Sequence, residues 1–541
     1  MRAILVQARS PKTYWSFEHT LPFLGKAATY PPLGIATLAA LLPSGWELRL
    51  RDVHVAPLAD ADLAWADVVL VSGMLIQLPS MRDVLRRARA MGRRTVVGGP
   101  APTTAPELFD EADHVFRGEA EGRLALLVST LEAPGPRPPR LLSPSGDDRP
   151  DLRLAQVPRF DLLDLSAYAS HALQFSRGCP FQCEFCDIIE IFGRVPRVKP
   201  PEQVVAELDA LHAAGARGTL FFVDDNFVGN RRAVAALLPV LRAWQERRGW
   251  PFVFCTEASV DLASHPALVA AMVEAGFSQV FLGIETPSTE ALAQARKTQN
   301  LRMPQERAVE ALTRAGLEVY AGFIVGFDSD APDIFDRQLA FISSLPIARA
   351  MVNLLTALPG TQLTRRLERE GRLRGIPSGD SFERPNYVPS MDERTLLAGY
   401  RRLLASLYAP EAYYRRCALH LEAVPLRRGA LGQSVGSGEL TALWRSVWRL
   451  GIRGRRRLLF WRLVARGLRR GGDLLPRAVG FAIVGEDLIR YTEEVVLPRL
   501  DQSLAALDTG SGPVRAAGAP SRSRATPSIP AALVVSTGAG A

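Results

Sequence analysis

Cysteine is scarce in this chain, with five in 541 residues. So few, with no export signal, point to a reducing cytoplasm rather than a disulfide-built secreted fold. The opening run Met1–Ala8 is too short in its apolar stretch for a signal peptide. No apolar run reaches the ~18 residues of a membrane span. One stretch almost lacks acid and wholly lacks lysine. Between Arg427 and Arg477 there are 13 arginines against Glu439 and Asp473, a net +11, while the whole chain carries only +9. The rest is therefore slightly acidic, and the basic balance says nothing about it. No nucleic-acid module is visible, so nucleic acid is not an expected partner. What is present is globular material: 47% hydrophobic and 22% charged residues, at a length that predicts several domains.

Three of the five cysteines fall in one short run, Gly178-Cys179-Pro180-Phe181-Gln182-Cys183-Glu184-Phe185-Cys186. Thiolates this close reach one soft metal centre, as in iron–sulfur clusters. A cubic cluster has four irons, so three ligands leave one corner open for chemistry. A zinc site is the competing reading; it would want a fourth ligand from His171, Asp187 or farther away. Buried structural thiols are a third. Cys255, in an expected strand, and Cys417, in an expected helix, read as core thiols.

Residues 1–131 alternate strand and helix signals. Strands are expected at Ala3–Ala8, within Trp46–Val55, at Val68–Val71, at Arg94–Pro100 and near Asp113–Glu121, with helices at Gly34–Leu42 and Met81–Met91. This alternation predicts a doubly wound parallel sheet, whose ligands sit at the carboxyl ends of strands. Ser72, Gly73, Gly98 and Gly99 fall at two such ends, where glycine lets backbone approach a ligand. Residues 132–150, rich in proline, glycine and serine, read as a linker. The alternation resumes over 151–361. Six strands are expected, at Ala172–Ser176, Gly218–Val223, Phe252–Thr256, Gln279–Ile284, Glu318–Val325 and Ala350–Thr356, with five helices between them. The cysteine run follows the first of these strands, where parallel barrels gather reactive groups.

Helices are expected over 362–500, including Gln362–Arg372 and Glu393–Leu407. The basic stretch 427–477 also carries Trp444, Trp448 and Trp461. Arginine on one face and tryptophan on another suit a membrane surface; a helical cap with a solvated basic face is the alternative. From 501 to 541 the composition predicts a disordered tail.

The cysteine spacing, with Phe185 before the last cysteine, resembles the radical S-adenosylmethionine (SAM) superfamily. Tyr30-Pro31-Pro32-Leu33-Gly34, Ser72-Gly73-Met74, Gly98-Gly99-Pro100 and Gly118-Glu119-Ala120-Glu121 together resemble the cobalamin-binding domain that precedes the radical SAM core in one large subclass. Tyr14-Trp15-Ser16-Phe17, Phe175–Cys179, Asp224-Asp225-Asn226-Phe227 and Gly326–Asp330 resemble the group near the hopanoid C-2 methylases, which has a distinctive helical C-terminal domain. The resemblance implies an α/β protein: a Rossmann-like cobalamin domain, a partial (β/α)6 TIM-like barrel and an α-helical C-terminal domain. It implies a [4Fe-4S] cluster on Cys179, Cys183 and Cys186, with SAM on the open iron. Asp224, Asp225 and Asn226 would lie near the SAM amino group, Glu285 near the ribose, and Gly322, Ile324 and Gly326 against adenine. Ser72, Gly73, Gly98 and Gly99 would approach cobalamin. His54, in Asp52-Val53-His54, lacks the glycine three residues on that a cobalt-binding loop carries, since position 57 is proline; it reads as an ordinary loop histidine.

The implied activity is C-methylation of an unactivated carbon through a 5′-deoxyadenosyl radical and methylcobalamin. Cyclisation, oxidation or rearrangement without methyl transfer is the alternative. The implied partners are a small-molecule or lipid substrate and an external electron donor. The few cysteines make the expected location cytoplasmic, with peripheral contact at the inner membrane face through 427–477 if that stretch is a membrane surface and not a helical cap.

Overall fold

The computed structural model describes residues 1–132, 140–143, 149–425, 437–471 and 474–508. The first sheet contains β1 (Arg2–Gln7), β2 (Glu47–Asp52), β3 (Val68–Ser72), β4 (Arg94–Gly98), β5 (His114–Phe116) and β6 (Leu141–Leu142), all parallel, in the order β2-β1-β3-β4-β5-β6. Successive side chains of a strand point to opposite faces. Ile4 and Val6 of β1 accordingly join one core cluster, with Met81 and Leu85, while Ala3 and Leu5 join another, with Ile35 and Ala36. Each fully buried aliphatic contributes ~1.5–3 kcal/mol. Burial on both faces is why the strand reads as a continuous apolar run rather than an alternating one. Helix Leu33–Leu41 begins just after Pro31-Pro32, takes six of its nine residues from alanine and leucine, and stops at an extended Leu42 before Pro43.

The expected linker needs correction. Leu141 and Leu142 form β6 and pair with Val115 and Phe116, so part of 132–150 belongs to the sheet. An apolar pair with a free strand edge beside it outweighs the loop composition of its neighbours. Residues 133–139 and 144–148 lie outside the described residues.

The second sheet holds β7 (His171–Leu173), β10 (Gly218–Phe222), β11 (Phe252–Ala258), β12 (Phe277–Glu285), β13 (Glu318–Val325) and β14 (Arg349–Leu354). It is parallel throughout and runs β14-β13-β12-β11-β10-β7 without closing, a partial barrel. A small antiparallel pair, β8 (Ser176–Arg177) with β9 (Arg197–Val198), brackets the cysteine run. The intervening helices end where their chemistry dictates. Helix Arg231–Arg248 is capped by the Asn230 side chain accepting from the Ala233 N–H (3.2 Å), and stops at left-handed Gly249 (φ 70°).

Beyond residue 361 the described elements are helices, apart from an irregular stretch over 371–392. Two tyrosines show why it packs on the barrel. Tyr400 donates to the Val352 carbonyl (2.8 Å) and Tyr408 to the Ala350 carbonyl, two residues apart on the edge strand β14. An edge strand leaves such carbonyls unpaired, and the helices Glu393–Leu407 and Pro410–Ala423 cover them. The tail expectation also shifts. Helix Leu497–Asp508 includes 501–508, anchored by Arg401 against Asp501; 509–541 lie outside the described residues. Among the described residues no helix is long and apolar enough to cross a membrane.

Candidate active site between the two sheets

The carboxyl ends of both sheets face one another across two cavities. The first, about 250 Å³, runs from the ends of β3, β4 and β5 along helix Leu33–Leu41 and is closed by Gln174, Arg177, Phe192 and Val223 of the second unit. Ser72, Gly98 and Gly99 line it, as does Glu119. Gly99 has φ +97°, and a Cβ there would stand 2.6 Å from Ser72 Oγ, so this backbone admits only glycine. Gly73 is placed differently: a Cβ on it would meet Met81 Sδ at 2.8 Å and Gln77, inside the fold.

The second cavity, about 530 Å³, opens between Met74–Ile76, Pro100 and Thr104 of the first unit and Asp187, Ile188, Asp225, Met351 and Asn353 of the second. Tyr14, Trp15, Phe382 and Tyr491 complete an aromatic wall. Phe382 and Tyr491 come from the helical region, so all three units contribute.

The cysteine loop is fixed from several sides. Gly178 has φ +95°, and a Cβ there would strike the Gly193 carbonyl at 2.9 Å. Cys179 donates its N–H to that carbonyl (3.2 Å), and Cys186 N–H donates to the Cys183 carbonyl (3.2 Å). Asn226 Nδ2 lies 3.9 Å from Cys179 Sγ and Gln299 Nε2 3.5 Å from Cys183 Sγ. Burial pushes the Cys179 and Cys186 thiols up, so a nearby metal cation is what would hold them as thiolates. Among the described residues no three His, Cys, Asp or Glu side chains converge as a single metal ion requires. A cubic cluster asks less, because each thiolate meets a different iron. The donor set thus fits the cluster.

Acids gather at the neighbouring strand ends. Burial raises Asp224 to about 6, Asp225 to about 7 and Glu257 to about 8. Asp224 is committed within the fold: it accepts from the Phe175 N–H (3.0 Å) and from Ser176 Oγ (2.5 Å). It braces the turn into the cysteine loop, so its expected contact with SAM is corrected to a supporting one. Asp225 faces the second cavity and accepts from the Gly178 N–H (3.2 Å). Buried acids raised together favour a cation between them, which suits an ammonium or sulfonium ligand. Glu285 sits at a bulge of β12 with φ 67° and is ion-paired to Lys297. Gly322 packs under the Phe281 ring, and Gly326 (φ +103°) donates its N–H to Asp330 (2.8 Å) and accepts from Tyr387 (2.9 Å). Ile324 lies beside them on β13 and packs with the Phe327–Tyr387 cluster.

His54 has no nitrogen to offer a metal. Nδ1 bonds to Asp52 Oδ1 (2.9 Å), and Nε2 accepts from the Ser10 N–H (2.8 Å).

The sequence carries the corresponding family signatures. Residues 27–128 match the B12 binding domain, 173–337 the radical SAM superfamily and 361–498 a domain of unknown function (DUF4070). An uncharacterized methyltransferase of Synechocystis sp. is 39% identical over 92% of both chains. The hopanoid C-2 methylase of Rhodopseudomonas palustris is 36% identical over 91% of this chain and 94% of its own. This chain belongs to the cobalamin-dependent radical SAM methyltransferase family. Its cofactors are accordingly a [4Fe-4S] cluster, SAM and cobalamin. Among solved structures, the cobalamin-dependent radical SAM enzyme OxsB superposes with TM-score 0.57 at 14% identity, over 94% of this chain and 84% of that one. The methyltransferase TsrM from Kitasatospora setae gives 0.57 at 16%, over 88% and 98%. At these identities the likeness concerns the fold alone.

Four residues of the site were not expected from sequence: Glu257, Lys297, Gln299 and Asn300. Asn300 donates to the Gly283 (2.9 Å) and Ile284 (3.0 Å) carbonyls and holds the bulge that presents Glu285. Lysine offers the one available signal. The chain has only four, and two of them, Lys199 and Lys297, are buried in ion pairs.

Proposed function

We propose that this enzyme transfers a methyl group to an unactivated carbon of an apolar, lipid-like small molecule. The observation that carries the reading is the second cavity. It lies between the strand ends of both units, its wall is chiefly aromatic and aliphatic, and Asp225 and Asp187 face in from the cysteine side. Residues 1–131 would form the cobalamin unit, 151–361 the radical SAM core and 362–500 the helical domain that closes the cavity.

Cys179, Cys183 and Cys186 would hold the cluster. Asp225 and Asn226 would receive the SAM amino group, Glu285 the ribose, and Gly322, Ile324 and Gly326 the adenine. Ser72, Gly98 and Gly99 would let backbone approach the corrin, with Gly73 keeping that strand end closely packed. When bound, these cofactors supply reductive SAM cleavage and a methyl carrier. The chain supplies the rest. Trp15, Phe382 and Tyr491 exclude water from the cavity and orient an apolar skeleton, and the acid group at Asp225 orients the cation.

The test is anaerobic reconstitution with cobalamin, a strong reductant and methyl-labelled SAM, offered lipid extracts. Label in an extractable product, with 5′-deoxyadenosine and S-adenosylhomocysteine both formed, is the expected result. 5′-Deoxyadenosine without S-adenosylhomocysteine would instead indicate chemistry without methyl transfer. No SAM cleavage with the cluster intact would overturn the enzymatic reading of this site.

A further inference from the structure

The segment from Leu440 to Arg470 holds ten arginines and no acid. Its helices display an ordered pattern. Leu440, Trp444, Trp448 and Ile452 recur every four residues, and all four are exposed. Arg445, Arg449 and Arg453 recur at the same interval one residue on. In a regular α-helix rows four apart wind slowly around the axis. Here the wider π turns of Val447–Ile452 follow the α-helix Ser437–Ser446 and offset that drift, so the two rows stay side by side. Trp444 and Trp448 stack with their rings 3° from parallel at 6.1 Å, and Arg453 lies over Trp448 at 4.7 Å.

The next helix, Arg457–Arg470, repeats the arrangement. Leu458, Trp461 and Leu468 are exposed within an arc of about 80° at ~100° per residue. Arg462, Arg466 and Arg469 flank that arc on one side and Arg457 on the other. The Trp461 indole is fixed outward by donating to the Gly451 carbonyl (2.9 Å), which joins the two helices. Arg449, Arg453, Arg455, Arg457, Arg462 and Arg469 form no ion pair among the described residues. A merely solvated basic face would not need large apolar side chains turned to water between its charges. A solvated apolar patch would not need six uncompensated cations.

We propose that this surface docks on a lipid bilayer bearing anionic headgroups. Tryptophan and leucine would enter the headgroup boundary, while arginines on either side take phosphate oxygens. Charge decides against a second copy of the chain, since two such faces would set arginine rows against each other. The place in the fold supports the lipid surface. Arg445 donates to the Phe23 carbonyl (3.2 Å) and Arg449 lies 5.3 Å from the Phe23 ring. Phe23 ends a short segment whose other end, Pro11–Trp15, lines the second cavity. The docking face and the cavity are thus joined through one segment, residues 11–23. The docking does not depend on what reaction occurs there.

The experiment is co-sedimentation of the full-length protein with vesicles of pure phosphatidylcholine and of phosphatidylcholine with phosphatidylglycerol, at low and raised salt. Expected is at least tenfold tighter binding to the anionic vesicles, lost as salt rises. R449Q/R453Q/R462Q should weaken that binding roughly hundredfold, at about fivefold per arginine near the surface. W444S/W448S/L458S should weaken binding to either vesicle, with circular dichroism and iron content unchanged. Brominated lipids quenching the wild-type tryptophan fluorescence gives a reading that needs no variant. Binding indifferent to headgroup charge, no quenching, salt-reversible dimers without vesicle binding, or RNA bound in place of vesicles would each overturn the proposal.

Discussion

Lys297 and Glu285 form a buried ion pair against the cysteine loop. Lys297 Nζ also lies 5.8 Å from the Phe185 ring, and the charges of Cys183 and Cys186 bear on it after that of Glu285. A buried cation beside thiolate ligands favours added negative charge on a cluster. Its removal should therefore make reduction harder. At an effective dielectric of ~20 and a separation of several ångströms the effect is on the order of 100 mV. K297M should shift the cluster midpoint negative, K297R should keep it, and E285Q should move it positive by freeing the ammonium. An EPR-monitored redox titration reads all three. Equal potentials would show that the pair serves only to pack the bulge.

A second ion network joins the loop after β5 to the antiparallel pair that brackets the cysteine run. Arg177, two residues before Cys179, reaches Glu119 (2.9 Å) and Glu121 (2.7 Å), and Arg197 reaches Glu119 (2.9 Å). All four side chains are largely buried, and Arg177 holds the Glu121 carboxyl below the usual range against the opposing effect of burial. Removing one partner strands a charge, at a cost of about 3–5 kcal/mol. E121Q should lower unfolding stability by that order in urea titration and loosen cobalamin retention on gel filtration. R177M/E119Q/E121Q, which removes most of the charge, should recover part of the stability but not the cobalamin.

Most of this architecture was legible in the sequence. β13 and helix Glu393–Leu407 coincide with the expected limits, and the other core strands differ by a few residues at their ends. Parallel strands buried on both faces leave continuous apolar runs, and these are easy to read. The cysteine run and the glycines at strand ends were legible for a similar reason, since each carries a local constraint. Long-range partnership was not. Nothing near Asp224 says that its oxygens turn back to Ser176, 48 residues earlier. Glu257 lies next to the end of β11, a strand that reads as core, and its acid neighbours follow another strand. Leu141-Leu142 is too short to announce a strand; only the free edge of β5 makes it one.

Gly99 tests the first cavity. Alanine there would need a backbone with φ +97° and would place Cβ 2.6 Å from Ser72 Oγ. G99A should cost roughly 1–3 kcal/mol from the left-handed backbone alone and reduce cobalamin content well below one per chain. S72A/G99A relieves the collision but not the backbone, so it should recover only part of the content. Cobalamin is read from the absorbance of the purified holoenzyme, and iron per chain should stay constant. Full cobalamin content in G99A would separate this strand end from the corrin.

His420 gives a pH dependence far from the cofactors. It is buried on helix Pro410–Ala423, where Nε2 accepts from Arg477 (3.0 Å) and Nδ1 lies 3.4 Å from the Pro346 carbonyl. Burial first, and then the Arg477 charge, lower it to about 3. The folded chain therefore keeps this ring neutral, whereas the unfolded chain protonates it below its ordinary value of ~6.5. The stability it contributes is complete above pH ~6.5 and is lost as pH falls from there toward 3, because the unfolded state binds the extra proton. Within that window His420 should add up to one proton to the slope, about 1.4 kcal/mol per pH unit. H420Q, which keeps an acceptor for Arg477 and titrates nothing, should be less stable at pH 7 and show a shallower slope between pH 6 and 4. Urea titrations across that range, wild type against variant, measure the difference. Parallel slopes would mean that the ring takes up its proton in the folded protein, with Arg477 turning away to let it.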